Sequence, residues 1–156
     1  MEYTTLLFLH ISSVILLLGI GGGSAFYKFM ADRSENLEVI LHTNKMVVFA
    51  DWIFTTPSAI IQPITGVMLM NLMGYSWQTP WLLLAMILYV FSGVLWLVAV
   101  YLQIQMKNMA EEAKEKSTLL GNAYKKLVNY WLILGVFSFG AMGGVFYLMV
   151  YRPLVW

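Results

Sequence analysis

The chain has 156 residues, which is enough for one domain of ordinary size. Hydrophobic residues make up 60% of it and charged residues only 11%, against roughly 25% charged in a typical globular protein. So few charges exclude a water-soluble domain, and a net charge of +1 excludes an electrostatic footprint for nucleic acid. The sequence has no cysteine, which excludes disulfides, thiolate metal sites and cysteine nucleophiles.

The charges are concentrated in two short segments. Thirteen of the 17 lie in residues 31–45 and 107–126. The rest of the chain consists of apolar stretches longer than the roughly 20 residues that a helix needs to cross a bilayer. This pattern predicts an all-α integral membrane four-helix bundle, a single domain with helices at about 4–30, 36–73, 80–115 and 119–151. The third and fourth helices are expected to continue beyond the membrane as a charged helical extension.

Basic residues predict the orientation of the bundle. They flank the first and third connections, whereas the second connection, residues 74–80, has none. The positive-inside rule therefore places these two connections in the cytoplasm and both termini outside, in a bacterial inner membrane. Aromatic residues fit the same frame, with Trp77 and Trp156 at the outer interface and Tyr124 and Trp131 nearer the inner one.

The second helix carries the most polar residues, and Ser34 is its expected N-cap. At 100° per residue, six polar side chains fall within roughly 40° of Asp51 on one stripe, which must face the bundle interior. Pro57 and Pro63 lie in the same helix and leave the carbonyls of Ile53 and Ala59 without their usual amide partners. Neighbouring hydroxyls can bond such carbonyls, and this structural role accounts for part of the stripe. The six residues are Asn44, Asp51, Thr55, Ser58, Gln62 and Thr65.

Asp51 is the one carboxylate well inside a predicted crossing, where an ionisable residue is costly. It needs a shifted pKa, water from the cytoplasm, or a cationic partner such as Lys28 or Lys45. A structural ion pair or hydrogen bond between helices is one interpretation. A role in handling a proton or substrate is the other, and it makes Asp51 the candidate catalytic group.

His10 lies on the polar face of the first helix and can ligate haem, bind a metal or relay a proton. A buried histidine that only bonds a neighbouring helix is the structural alternative. His42 lies roughly 21 Å away in depth, too far to share one haem with His10, and is expected at the interface. Methionines offer a weak second ligand, because none of four at suitable depth lies on a polar stripe: Met68, Met70, Met86 and Met142.

The other helices show faces that match the stripe. Helix 3 aligns Ser92 and Gln103, and helix 4 aligns Asn122, Asn129 and Tyr147. Glycines four residues apart are expected to let helices approach closely: Gly19 with Gly23, and Gly140 with Gly144.

Two sequence stretches carry a resemblance to known proteins. These are Phe8-Leu-His10-Ile-Ser-Ser in helix 1 and Ala50-Asp51-Trp52-Ile-Phe-Thr-Thr-Pro57 with Ile61-Gln62-Pro63-Ile-Thr-Gly66 in helix 2. Over nearly the whole length, the chain resembles a family of bacterial integral membrane proteins of unknown function. The early histidine, His10, is also similar to that of CopD-type copper-resistance domains and HemJ-type protoporphyrinogen oxidases. This resemblance implies b-type haem, copper handling or porphyrin chemistry.

Three functional hypotheses follow. The first is a membrane oxidoreductase that binds haem b through His10 and acts in electron transfer or porphyrin oxidation near quinone, with Asp51 as a proton group. The second is a path for protons, ions or a small solute, including copper, lined by the stripe. The third is an accessory or assembly subunit that docks a partner, or a second copy of itself, through the charged extension. Trp52, Tyr147 and His42 are further candidate site residues.

Overall fold

The computed structural model describes residues 2–153, in which four long helices are joined by short connections and no strand occurs. The helices are α1 (Tyr3–Arg33), α2 (Leu37–Leu72), α3 (Pro80–Glu115) and α4 (Asn122–Tyr151). Each is long and apolar enough to cross a membrane, so the predicted all-α four-helix architecture is confirmed. Trp156, expected at the outer interface, lies outside the described residues.

The four helices form an up-and-down bundle with two distinct ends. The connections 34–36 and 116–121 lie at one end, here called the charged end. The connection 73–79, the start of α1 and the end of α4 lie at the opposite end, here called the terminal end. These names describe the bundle alone; the side of the membrane that each end faces remains a prediction.

The start of α2 differs from the sequence prediction. Asn36, not Ser34, is the N-cap, and its side-chain oxygen accepts hydrogen bonds from the amides of Glu38 and Val39 at 3.0 and 3.3 Å. Ser34 instead ends α1, where its hydroxyl donates to the carbonyl of Ala31 at 2.7 Å. Both residue types can cap a helix, and the connection is short enough for Ser34 to close the preceding helix.

Polar side chains share the interior of the bundle with apolar ones, and the surface of the bundle is apolar. Within the described residues, ten buried side chains are polar or charged and eighteen are apolar, whereas large apolar side chains such as Phe8, Ile15 and Val136 lie on the outer surface. An apolar outer surface is unlike that of a soluble protein and fits a chain whose mean hydropathy is +0.75. The apolar surface is the one that lipid covers.

Two apolar clusters close the bundle, one at each end. Near the charged end, Met106 and Ala110 of α3 pack with Tyr124 and Trp131 of α4 and with Ile40 of α2. Near the terminal end, α3 and α4 form a second cluster with α2, composed of Met70, Trp81, Leu82, Ala85, Val145 and Leu148. Tyr124 and Trp131 are thus core residues near the charged end, and their expected position nearer the inner interface stays a prediction.

Between these clusters the four helices are less tightly packed. The contact of α1 with α4 includes the ring of Phe139, which lies so close to Gly21 that an added β-carbon would be 3.1 Å from it. In contrast, a β-carbon at Gly19, Gly23 or Gly140 would meet no atom within 4 Å. The expected close helix approach does not occur at these three glycines within the chain, whereas a β-carbon at Gly144 would lie only 3.1 Å from Leu88 Cδ1 of α3. A small residue permits an approach but does not require one.

The middle of α2 contains one π-helical turn, Asp51–Thr55, which is closed by a hydrogen bond from the amide of Thr56 to the carbonyl of Asp51. Pro57 follows directly and has no amide to donate. Isolated π-turns inside α-helices are frequent at functional sites. Here the turn contains the one carboxylate that the sequence placed deep in a crossing.

At the charged end, α3 extends to Glu115 and packs against the start of α2. Lys45 of α2 pairs with Glu111 at 3.2 Å, and Lys114 pairs with Glu38 of α2 at 2.8 Å. The predicted charged extension is therefore formed by the end of α3, the short connection and the start of α4, and two of its charges bond α2 of the same chain.

Candidate polar sites in the bundle interior

The polar stripe of α2 lies along the bundle axis. All six of its members are buried, each less than 6% exposed: Asn44, Asp51, Thr55, Ser58, Gln62 and Thr65. Together they span most of the helix, from the charged end toward the terminal end. The stripe therefore faces the interior, as its periodicity predicts.

Toward the terminal end, His10 of α1 bonds two residues of the stripe. Its Nδ1 lies 2.9 Å from Thr65 Oγ1, and its Nε2 lies 3.0 Å from Gln62 Nε2. The hydroxyl of Ser13 donates to Gln62 Oε1, or to the carbonyl of His10 at 2.8 Å. Behind the imidazole, a β-carbon at Gly66 would be only 3.2 Å from its Cε1, so the glycine makes room for the ring.

These contacts assign the proton on His10. With the amide nitrogen of Gln62 facing Nε2, that ring nitrogen must accept, so Nδ1 carries the proton and donates it to Thr65. The Thr65 hydroxyl in turn donates to the carbonyl of Ile61 at 2.8 Å. If the Gln62 amide rotates by half a turn, its oxygen faces Nε2 and both ring nitrogens can carry protons. The cluster can therefore accommodate His10 in either charge state.

A cavity of about 480 Å³ adjoins this cluster at the terminal end. Three of the four methionines considered as partners of His10 line it, namely Met70, Met86 and Met142, whereas Met68 does not. The cavity thus brings thioether side chains to the same space as His10.

The residues around His10 do not fit an axial haem ligand in this arrangement. Such a histidine must present one free nitrogen to the iron. Both nitrogens of His10 are engaged by side chains of α2, and Gly66 lies against the edge of the ring. We therefore derive no chemical step through haem, and haem ligation by His10 stays a prediction from the sequence.

Toward the charged end, Asp51 lines a second cavity, of about 330 Å³, between the four helices. The Oδ2 atom of Asp51 is buried and has no hydrogen-bond partner among the described residues. The cations that the sequence offered as partners are engaged elsewhere, since Lys28 pairs with Asp32 at 3.0 Å and Lys45 pairs with Glu111. The option of an ion pair between Asp51 and either of these lysines is therefore not realised.

Lys28 forms a separate polar cluster at the charged end. Its ammonium donates to Asp32 Oδ2, to Asn44 Oδ1 at 2.7 Å and to the Tyr124 hydroxyl at 3.3 Å, and Tyr124 donates to Asp32 Oδ1 at 2.7 Å. It also lies 5.5 Å from the ring centre of Trp131, which lines the Asp51 cavity. This cluster bounds the cavity on the side of the charged end.

The two cavities adjoin. Leu18, Tyr89 and Met142 line both of them and so form the boundary between them. The Tyr89 hydroxyl donates to the carbonyl of Ala59 at 2.8 Å, the carbonyl that Pro63 deprives of its helical amide partner. The interior thus contains, in order from the terminal end, the His10 cluster, a boundary at Tyr89, the Asp51 cavity and the Lys28 cluster.

The remaining candidate residues point away from the interior. His42 is exposed near the charged end, and Trp52 and Tyr147 are 61% and 54% exposed on the apolar surface. Tyr147 stacks on Tyr151 with ring centres 4.5 Å apart. The structure therefore does not bring these three residues to either polar site.

Two interior residues were not singled out from the sequence. Ser13 lies three residues after His10, the spacing of neighbours on one helix face, and this signal could have found it. Tyr89 lies among apolar residues of α3, and no sequence pattern connects it with the unpaired carbonyl in α2. Its role depends on how the two helices are rotated against each other.

Comparison with known proteins gives one match. Residues 4–153 match a family described as "Predicted integral membrane protein (DUF2269)", which covers nearly the whole chain. No curated protein and no solved structure matches the chain. The chain therefore belongs to DUF2269, as the resemblance of its helix 1 and helix 2 stretches indicated, whereas similarity to CopD-type and HemJ-type proteins is not shown.

Proposed function

We propose that this DUF2269 member is a membrane protein that provides a path for protons through the interior of its four-helix bundle. His10 and Asp51 are the two proton-binding groups, one in each half of the membrane. The observation that carries the proposal is the continuous buried stripe of α2, with a titratable side chain and an adjoining cavity at each of two depths. Ionisable residues inside a membrane are rare and typically serve such paths.

The His10 cluster is suited to proton transfer. Its imidazole lies between an amide and a hydroxyl, both of which can donate or accept after rotation. Neither charge state leaves a ring nitrogen without a partner. A histidine so placed can take up a proton on one nitrogen and release one from the other.

Asp51 supplies the second site. Eleven residues separate it from Gln62, which corresponds to roughly 16 Å along the helix axis. That gap is too long for direct transfer, so water in the two adjoining cavities would complete the path through the boundary at Tyr89. The Lys28 cluster closes the path on the side that we expect to face the cytoplasm.

The other two hypotheses receive less support. An oxidoreductase that acts on porphyrin or quinone needs a redox group, and His10 presents no free nitrogen for iron. An assembly subunit needs a docking surface, and two of the charges of the extension bond α2 of the same chain. Neither reading uses the stripe as a whole, whereas the proton path does.

Proton flux in proteoliposomes tests the proposal. Purified protein is reconstituted with a pH-sensitive dye inside the vesicles, and a potassium diffusion potential drives protons inward. We expect Asp51→Asn and His10→Gln, which are close in size to the native residues, each to lower the flux at least about tenfold. Glu115→Gln and His42→Gln change a carboxylate and a histidine at exposed positions and should leave flux within about twofold of the native protein.

Two results would contradict the proposal. One is native flux no greater than that of protein-free vesicles under the same potential. The other is unchanged flux in both interior variants, provided that each variant elutes as the native protein does in detergent. Either result would leave the buried stripe with a purely structural role.

A further inference from the structure

The cavity beside Asp51 has the dimensions of a small-molecule site. Its volume of about 330 Å³ falls within the range typical of such pockets. Small residues from all four helices create the space, because none of them fills the centre of the bundle. They include Gly21, Gly22, Gly93, Ala59, Ala99 and Gly135.

Three residues that line this cavity each carry a buried oxygen atom without a hydrogen-bond partner among the described residues. The atoms are Asp51 Oδ2 and Thr55 Oγ1, one turn apart on α2, and Gln103 Oε1 on α3. Each of the three residues is more than nine-tenths buried. Unpaired buried polar atoms are rare in native proteins, and three in side chains that line one cavity indicate a bound group that is not part of the chain.

The chemistry of these atoms defines the group. The carboxylate and amide oxygens can only accept hydrogen bonds, so a ligand that supplies donors would satisfy them. No cation among the described residues pairs with Asp51, because Lys28 and Lys45 are engaged by other carboxylates. A positive charge on the ligand would therefore complete the site.

The other residues that line the cavity favour an organic cation over a metal ion as its ligand. Hard metal ions need six or more oxygen ligands or retained waters, and the cavity is mostly apolar beyond its polar corner. The described residues contain no group of three or more metal-binding side chains. Four aromatic residues line the cavity instead: Tyr89, Trp96, Trp131 and Phe139. Aromatic faces attract organic cations and pack against apolar bodies.

We propose that this cavity binds a primary ammonium ion attached to a compact apolar or aromatic body. The ammonium donates its three hydrogens to Asp51, Thr55 and Gln103, and the body lies among the aromatic side chains. This inference extends the proposed function, because a cation at Asp51 replaces the proton that this carboxylate would otherwise bind. The path would then exchange protons for a lipophilic amine.

Binding of 2-phenylethylammonium to native protein in lipid nanodiscs tests the inference. Trp96 and Trp131 line the cavity, so their fluorescence reports occupancy, and empty nanodiscs correct for partition into lipid. Two comparison compounds share the body, 2-phenylethanol without the charge and the N,N,N-trimethyl derivative without the N–H donors. We expect saturable binding of the primary ammonium at least about tenfold tighter than either comparison compound.

Two pairs of variants locate the site. Asp51→Asn should weaken binding at least about tenfold, whereas Glu115→Gln should leave it unchanged. Gly135→Val fills the cavity without touching the polar corner, since its β-carbon would meet no atom within 4 Å, and it should abolish binding. Gly140→Val is its matched control, because Gly140 is equally open but does not line the cavity.

Three results would overturn the inference. They are the absence of saturable binding, equal binding of the alcohol or the trimethyl compound, and native affinity in both Asp51→Asn and Gly135→Val. If no saturable binding is found, water can occupy the polar corner of the cavity, and proton flux can still be intact. Amine binding without proton flux would instead remove the proposed path and keep the site, so the two proposals fail separately.

Discussion

Lys28 is the most deeply buried charged side chain in the described part of the molecule, at 1% exposure. It bonds Asp32 of its own helix, Asn44 of α2 and Tyr124 of α4, so one ammonium connects three helices. Asn44 also donates to the carbonyl of Met106, which extends the cluster to α3. Each residue that the ammonium reaches thus makes at least one further hydrogen bond with another residue.

Removal of this ammonium should be costly. Lys28→Met leaves a partly buried carboxylate and a buried amide without their cation, and loss of one partner from a buried ion pair costs about 3–5 kcal/mol. The exposed pair of Lys45 with Glu111 is the control, and Lys45→Met should cost about 0–1 kcal/mol. Thermal unfolding in detergent measures both. Equal losses of stability in the two variants would show that the Lys28 cluster stabilises the fold no more than an exposed ion pair does.

The sequence located the candidate site residues better than their partners. Asp51 and His10 are conspicuous because a bilayer should exclude them, and that argument needs depth alone. The partner of Asp51 depends on rotation about the helix axis and on competing charges. Lys28 lies four residues before Asp32, so the nearer carboxylate on the same helix takes the ammonium. Gln62 and Thr65 were on the stripe, but their bonds to His10 required the packing of α1 on α2.

At the scale of the helix, two prolines interrupt the backbone hydrogen bonding of α2. Before Pro57 the backbone forms the π-turn that closes on the carbonyl of Asp51. Before Pro63 the carbonyl of Ala59 accepts from the Tyr89 hydroxyl of α3. The sequence correctly indicated both interruptions. The hydroxyl that bonds the carbonyl of Ala59 comes from another helix, which the sequence of α2 does not show.

A double-mutant cycle tests the hydrogen bond from the Tyr89 hydroxyl to the carbonyl of Ala59. Tyr89→Phe removes the hydroxyl and should destabilise the protein by about 1 kcal/mol, a typical value for a hydrogen bond between helices in a membrane. Pro63→Ala restores an amide that can donate to Ala59. Tyr89→Phe should therefore cost less in the Pro63→Ala protein than in the native one. Unfolding by a denaturing detergent measures the four stabilities, and equal costs in both backgrounds would refute the pairing.

At the scale of the whole molecule, the sequence predicted the four crossings because the bilayer imposes length and apolarity directly on each helix. Cavities could not be predicted in the same way. They depend on where small residues from different helices meet, as Gly93 and Gly135 do beside Asp51. The same glycine spacing that suggested close approach in the sequence leaves open space at Gly19 and Gly23.

The orientation of the bundle in the membrane can be measured by cysteine labelling. Because the native sequence has no cysteine, each introduced thiol is the single labelling site. Ser76→Cys places one thiol on the terminal-end connection, and Ser117→Cys places one on the charged-end connection, both at exposed positions. The positive-inside rule predicts that a membrane-impermeant maleimide labels only the first in intact spheroplasts and both after permeabilisation. Labelling of Ser117→Cys in intact cells would reverse the orientation.

The central claim is that His10 and Asp51 act in series on one proton path, and the double variant His10→Gln/Asp51→Asn tests it most directly. In a serial path either substitution alone blocks transfer, so the double variant should show the same residual flux in proteoliposomes as each single variant. If each single variant instead keeps a substantial flux and only the double variant loses it, the two residues serve independent routes. That result would contradict the single path through the bundle.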